Sequence, residues 1–307
     1  MEFVNLHHHS TFSYGDGFGT PKQHVDRAKE LGYNAIALTE HGNVSSHIQL
    51  EKAALGVGLK PIFGVEAYCG GIGEERTQYK HHLTILAGGI VGYRSLNRIV
   101  TQSYRDHHYH PTVSGVSLAA NSRGIVVLSG CSGSNLACTL LGGKGTPEHI
   151  DDPDVRAAIR LVHKFQRHFG DAYYLEVQPF WELPRTISMN TAYEDISQRC
   201  GVPIVVTHDV HYPRMEDAEM QAVLHAVHRG KASVDDAMRE WNYDVPLTLP
   251  ESDEELITRL VKTGLTRRAA EGAIETSADI AEQCNVTLPK AERLRYPIRE
   301  EDLRPWV

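Results

Sequence analysis

The sequence predicts an α/β chain in which seven strands close into a mostly parallel barrel, followed by a helical C-terminal extension. Three observations carry that expectation. Short apolar runs alternate with longer amphipathic runs until about residue 214, and that alternation builds parallel sheets. The length, 307 residues, suits a single α/β barrel of about 250 residues with something added. Beyond residue 214 the alternation stops and three helical patterns follow one another. A doubly wound sheet is the competing architecture for seven strands, and the barrel is preferred.

The elements follow in order. "EFVNLHHH" reads as the first strand. "TPKQHVDRAKELG" reads as a helix with Thr20 as N-cap, Pro21 at the first helical position and Gly32 as the stop. "YNAIALTEH" is a buried strand, "SSHIQLEKAALGVG" a helix and "KPIFGVEAY" a strand. "HHLTILAGG" is the fourth strand, with a helix across "VGYRSLNRIVTQSYR". "RGIVVLSGC", "DAYYLEVQP" and "VPIVVTHDVHY" complete the strands, with helices expected at about 152–169 and 188–200. "EDAEMQAVLHAVHRGK", "SDEELITRLVKTG" and "RRAAEGAIETSADIAEQCN" read as helices, and "VTLPKAERLRYPIREEDLRPWV" as an extended tail. The division expected is a metal-binding barrel over 1–230 and a helical extension with tail over 231–307. No internal repeat or low-complexity segment is visible.

Composition excludes several classes. No apolar run reaches the roughly 18 residues of a transmembrane helix, and "MEFVNLHHHS" lacks the basic and apolar segments of a signal peptide. A cytoplasmic protein with no membrane partner is expected. Five cysteines, Cys69, Cys131, Cys138, Cys200 and Cys284, are odd in number, widely spaced and without a CxxC pair. A disulfide framework or zinc ribbon is therefore not expected. A formal charge of −8 does not supply a broad basic face for duplex nucleic acid. The 18 histidines are the informative excess, since imidazole is the commonest protein metal ligand.

Active sites of parallel α/β folds lie beyond the C-terminal strand ends, and ligand-type residues concentrate there. The first strand ends in His7, His8 and His9. Positions i and i+2 share a face, so His7 and His9 can share a cation while His8 points away. Asp16 follows in "YGDG". "LTEH" places His41, "GVEAY" places Glu66, "LSGC" places Cys131, and "THDVH" places Asp209 and His211, again at i and i+2. All are zinc, manganese or iron ligand types. Each alone has an ordinary structural explanation: a packed thiol, a capping carboxylate, an imidazole on a backbone carbonyl. Eight together at one end of one sheet are harder to explain without a cation.

Five stretches, "FVNLHHHSTFSYGDG", "ALTEHGNV", "HHLTILAGGIVGYRSLNRIV", "GIVVLSGCSG" and "VVTHDVHYPRMEDAEMQAVLHAVHRGK", resemble the PHP (polymerase and histidinol phosphatase) domain, in the form at the N-terminus of the bacterial replicative DNA polymerase III alpha subunit. "AIETSADIAEQCNVTL" resembles the lead-in to the polymerase palm there, and the likeness covers about residues 2–288. The resemblance implies a distorted seven-stranded barrel with a three-metal cluster, and two or three divalent ions, zinc, manganese or iron, are the cofactors expected. One ion would take His7, His9, Glu66 and Asp209. Glu66 would bridge to a second, which Cys131 also binds, and Asp16, His41 and His211 would hold a third. The family places one more histidine near the end of the helix after the fourth strand. Tyr104 stands there here, and His107 in the nearby "RDHHYHP" is the choice made. His82 is set aside because it begins its strand and should face the far end. His8, His47 and His81 are set aside as well.

The function expected is metal-dependent phosphoester hydrolysis, most specifically a 3′–5′ DNA exonuclease that proofreads for a polymerase III alpha-type replicase. Bound ions would lower the pKa of a water and clamp phosphate oxygens. His9, His41, Asp209 and His211 are the candidates for catalysis. The partners expected are single-stranded 3′ ends of DNA and either a separate polymerase chain or further polymerase domains. Tyr14, Phe18, Tyr68 and Tyr212 could stack bases, although packing is the commoner role. The stretch carries no counterpart of the palm aspartates and is not expected to polymerise DNA by itself, whether it is a fragment or a whole product. Two alternatives remain: a phosphomonoesterase for a small substrate, and a non-catalytic docking module for a polymerase.

Overall fold

A computed structural model describes residues 1–69, 81–105, 107, 110–143, 150–230, 233, 235 and 245–290. Helix α1 spans Pro21–Glu30. Thr20 caps it as the sequence predicts, its Oγ1 accepting from the Gln23 N–H while Gln23 returns a bond to the Thr20 N–H. Strand β1 (Ala35–Leu38), helix α2 (His47–Gly56) and strand β2 (Lys60–Cys69) follow. Next come β3 (His81–Ala87), α3 (Ile90–Arg105), the two-residue β4 (Thr112–Val113), α4 (Gly115–Ala120), β5 (Ile125–Leu128), α5 (Asn135–Leu141) and α6 (Val155–Phe169). The chain continues through β6 (Tyr173–Val177), α7 (Pro184–Cys200), β7 (Ile204–Val206), α8 (Ala218–His228), α9 (Asp253–Lys262) and α10 (Arg267–Gln283).

The sheet is a curled, open path of six strands, β1-β2-β3-β5-β6-β7, with β4 pairing β2 off that path. Two expectations change here. The strand expected over "EFVNLHHH" is not a strand. Its backbone groups bond to side chains instead of a ladder. The Val4 N–H donates to Ser277 Oγ (3.1 Å) and the His8 N–H to Thr39 Oγ1 (2.9 Å). Asn5 holds the His208 N–H (2.8 Å) and the His7 carbonyl (2.8 Å). What remains is one parallel bridge, His8 to Val210. The segment still joins the two ends of the sheet, since the Thr39 N–H reaches the His8 carbonyl (2.8 Å) and the His9 N–H reaches the Val210 carbonyl (2.8 Å).

The second change concerns direction. β3 runs antiparallel to both β2 and β5, while β1–β2, β5–β6 and β6–β7 are parallel. The start of β3 therefore lies at the same end as the finish of its neighbours. The link from β2 to β3, residues 70–80, is shorter than the dozen or more residues a parallel crossover needs.

The principal core runs through the sheet and helices and includes Leu38, Phe63, Ile85, Leu96, Val127 and Leu175. Leu256, Leu260 and Ile274 of α9 and α10 belong to the same core. The expected extended tail beyond residue 290 lies outside the described residues. The Cys131 loop is set by Gly130, which takes φ 86° and packs so tightly that a Cβ there would fall on the His82 carbonyl oxygen.

Candidate metal centre

One mouth of the sheet collects the ligand-type residues. Glu66, near the end of β2, is 1% exposed and stands between two sets of donors. Its Oε1 lies 3.2 Å from His7 Nε2, 2.7 Å from His82 Nδ1 and 3.7 Å from Cys131 Sγ. Its Oε2 lies 2.6 Å from His41 Nδ1 and 3.5 Å from His9 Nε2. Asp209 Oδ1 is 3.4 Å from His7 Nε2 and 3.5 Å from both His9 Nε2 and His211 Nδ1. Asp16 Oδ2 is 2.7 Å from His41 Nε2 and 3.4 Å from His211 Nε2.

Three sets of donor atoms each lie within 4.8 Å of one another: His7–His9–Glu66, Glu66–His82–Cys131 and His9–His41–His211. The mouth thus brings together His7, His9, Asp16, His41, Glu66, Cys131, Asp209 and His211. It does not include His107, which is exposed in the link after α3 and belongs to none of these sets. His82 stands there instead, 3.3 Å from Cys131 Sγ. The reason for setting His82 aside was a parallel β3, and the antiparallel pairing reverses it.

Buried partners behind the imidazoles fix which nitrogen faces the mouth. His7 Nδ1 donates to Glu176 Oε1 (2.6 Å). Glu176 is buried and also accepts from Thr207 Oγ1 (2.7 Å), Thr84 Oγ1 (2.9 Å) and the Gly130 N–H (3.1 Å). His9 Nδ1 donates to Ser13 Oγ (2.8 Å), which passes a hydrogen bond to Glu40 Oε2 (2.6 Å). His211 Nδ1 donates to the Asp209 carbonyl (2.9 Å). In all three, Nε2 is left toward the mouth, the arrangement that orients metal-ligating histidines. The Nε2 atoms of His7 and His9 and Asp209 Oδ1 are buried, close together and lack a good hydrogen-bond partner. Five imidazoles, three carboxylates and a thiol around such atoms fit divalent cations.

The electrostatics point the same way. Burial lowers the pKa of His7, but Asp209, Glu66 and Glu176 outweigh it and hold the imidazole well above its ordinary value. Burial opposes ionisation of Glu66, and the His82, His7 and His41 imidazoles overcome that and push it well down. A divalent cation can replace the protons these carboxylates attract. Burial, with His41 and His211 beside it, lowers His9 to about 3. Burial, together with Glu66 and Asp209, pushes the Cys131 thiol well up, and cation binding would reverse that by ionising it.

Glu40 and Glu176 were not singled out in the sequence. A carboxylate inside an apolar strand run, as in "YYLEV", is the signal that could have found Glu176, because a buried charge needs partners. A cavity of about 180 Å³ opens onto the mouth. Phe180, Leu183, Val245 and Leu247 supply apolar wall, and α8 contributes Gln221 and His225. Val245 and Leu247 come from the chain beyond α8, and Leu247 is pinned by its carbonyl to the His211 N–H (2.8 Å). Tyr68 stacks against His41 at 5.9 Å. Phe18 and Tyr212 pack with Phe180, and Tyr14 is largely exposed against His228. An open depression of about 710 Å³ elsewhere carries Arg98 and Arg105 but no ligand-type side chain in its lining.

A model of the PHP domain family matches residues 5–179. Over 310 residues the chain is 28% identical to the DNA polymerase III subunit alpha of Thermus aquaticus, an alignment covering 97% of this chain and 24% of that protein. The subunit of the same name from Deinococcus radiodurans is 31% identical over 312 residues, covering 96% and 22%. The chain thus spans about a quarter of the length of these curated relatives. A histidinol phosphate phosphatase from Lactococcus lactis, solved with zinc, L-histidinol and phosphate, aligns at 12% identity over 75% of this chain and 94% of its own. Its TM-score of 0.32 is too low to carry a structural comparison. No helix among the described residues is long and apolar enough to cross a membrane.

Proposed function

The chain belongs to the PHP domain family, and from that premise we propose that it hydrolyses phosphate esters with divalent cations held at the Glu66 mouth, acting as a 3′–5′ exonuclease on single-stranded DNA ends. One observation carries the reading: His7 and His9, their Nδ1 atoms tied back, turn Nε2 toward Glu66 and Asp209, and His211, tied back likewise, turns Nε2 toward Asp16. Such a donor set has no use as a packed core, where buried polar atoms pair off.

His7, His9, Glu66 and Asp209 would hold one cation, Glu66, His82 and Cys131 a second, and Asp16, His41 and His211 a third. Bound there, divalent cations supply Lewis acidity to phosphate oxygens and a nucleophile at neutral pH. The chain's own contributions can be separated. Glu176 and the Ser13–Glu40 pair orient His7 and His9. Phe180, Leu183, Val245 and Leu247 keep water from one side of the cavity. His41, Asp209 and His211 line that cavity while His9 lies behind it, so of these four only the first three face a substrate there.

DNA as substrate, and service beside a polymerase, rest on the names and coverage of the relatives. Manganese-loaded protein should shorten a 5′-labelled single-stranded oligonucleotide from its 3′ end. Cavity size favours a second reading. About 180 Å³ is below the usual range for ligand pockets of roughly 300–1,000 Å³, which would suit a small phosphate monoester. Release of phosphate from sugar or amino-alcohol phosphates with the oligonucleotide left intact would replace the exonuclease reading with that one.

A further inference from the structure

Asp16 has a third imidazole partner that was not singled out in the sequence. His225, on α8, places Nε2 against Asp16 Oδ1. The opposite oxygen, Oδ2, faces His41 (2.7 Å) and His211 (3.4 Å). One carboxylate is therefore surrounded by Nε2 atoms from three parts of the fold: the chain after β1, the chain after β7 and the last turn of α8. His225 lines the same cavity as the other donors, and its side chain is 12% exposed.

The helix is built to hold it there. Gln221 stands one turn earlier, on the same face. It donates to the Asp16 carbonyl (3.1 Å) and lies 3.4 Å from His225 Nε2. Ala222 and Ala226 bury the adjoining face. The turn leading into α8 is fixed by Arg214, whose N–H bonds Asp217 (3.0 Å) and whose guanidinium holds Glu30 of α1 (2.6 Å).

We propose that His225 is a further ligand of the cation held at Asp16 and His211, so that α8 closes the metal site as well as packing beside it. The inference rests on the metal reading above. It predicts that loading this position fixes α8 against the mouth, because ligand and helix move together.

The test is a cobalt(II) titration of the full chain, read by bound ions per chain and by the visible absorption bands. His225→Gln keeps a hydrogen-bond donor for Asp16 at the Nε2 position but offers no imidazole nitrogen. His163→Ala, on the exposed face of α6, serves as the control. His225→Gln is expected to bind one of the ions at least tenfold more weakly, with a changed spectrum, while the control matches the parent. Unchanged stoichiometry and spectrum in His225→Gln would overturn the proposal and leave the metal reading standing. Failure of the parent chain to bind cobalt at all would sink the metal reading, and this inference with it. A second measurement needs no variant. Cobalt should protect His225 of the parent chain from diethyl pyrocarbonate, and equal labelling with and without cobalt would overturn the proposal.

Discussion

At the scale of single residues, the site divides by what each side chain needed the fold to supply. The His7–His9 and Asp209–His211 pairs were legible because an i, i+2 spacing in extended chain puts two donors on one face whatever lies around them. His41, Glu66 and Cys131 were legible because apolar runs end where the mouth begins, and Asp16 because it follows the His7–His9 pair in the next loop. His82 was not, because its placement depends on the direction of β3, and a seven-residue strand reads the same either way. Its exchange with His107 is testable. His82→Ala is expected to weaken manganese binding at least tenfold, the scale on which changes around metal ligands act, and His107→Ala to leave it unchanged. Chelator competition with a fluorescent indicator measures both, and equal effects in the two variants would contradict the geometry.

At the scale of elements, capping chemistry was the most readable signal. The Thr20 cap appears as read, and the Asp253–Lys262 and Arg267–Gln283 helices lie within the stretches that read as helices. The N-terminal strand failed for the opposite reason. Its residues have strand character, but Asn5, Thr39 and Ser277 offer side-chain partners that a local pattern cannot reveal. Helix α2 carries a consequence of its own. His47 is buried away from the mouth, its Nε2–H donating to the Gly64 carbonyl (2.9 Å), and burial lowers its pKa to about 4. An unfolded chain would take up a proton there near 6.5. Between pH 6.5 and 4 the unfolded state therefore binds more protons, and stability falls as pH falls, by about 3 kcal/mol across the window. His47→Gln keeps the donor and removes the titration. Its melting temperature is expected to drop less than the parent's between pH 7 and 4.5. His24, near 4, and His208, near 3, leave part of the slope in place. Parallel slopes in the two proteins would contradict the assignment.

At the scale of the whole molecule, the α/β class and the order of elements followed from alternation. The closed parallel barrel did not, because the β2–β3 reversal turns on an eleven-residue link and the closure on a segment that is not a strand. The C-terminal helices share the principal core, and α8 with the chain at Val245–Leu247 forms part of the cavity wall, so the site draws on residues from both ends of the sequence. An acidic chain of −8 that gathers carboxylates and imidazoles at one mouth needs cations there before it can hold a phosphate. The most direct test of that claim is an anomalous-difference map from crystals grown with manganese and measured at the manganese edge. Two or three peaks between Glu66, Asp209 and Asp16 are the predicted result. An ordered mouth with its side chains placed as described and no peak among them would contradict it.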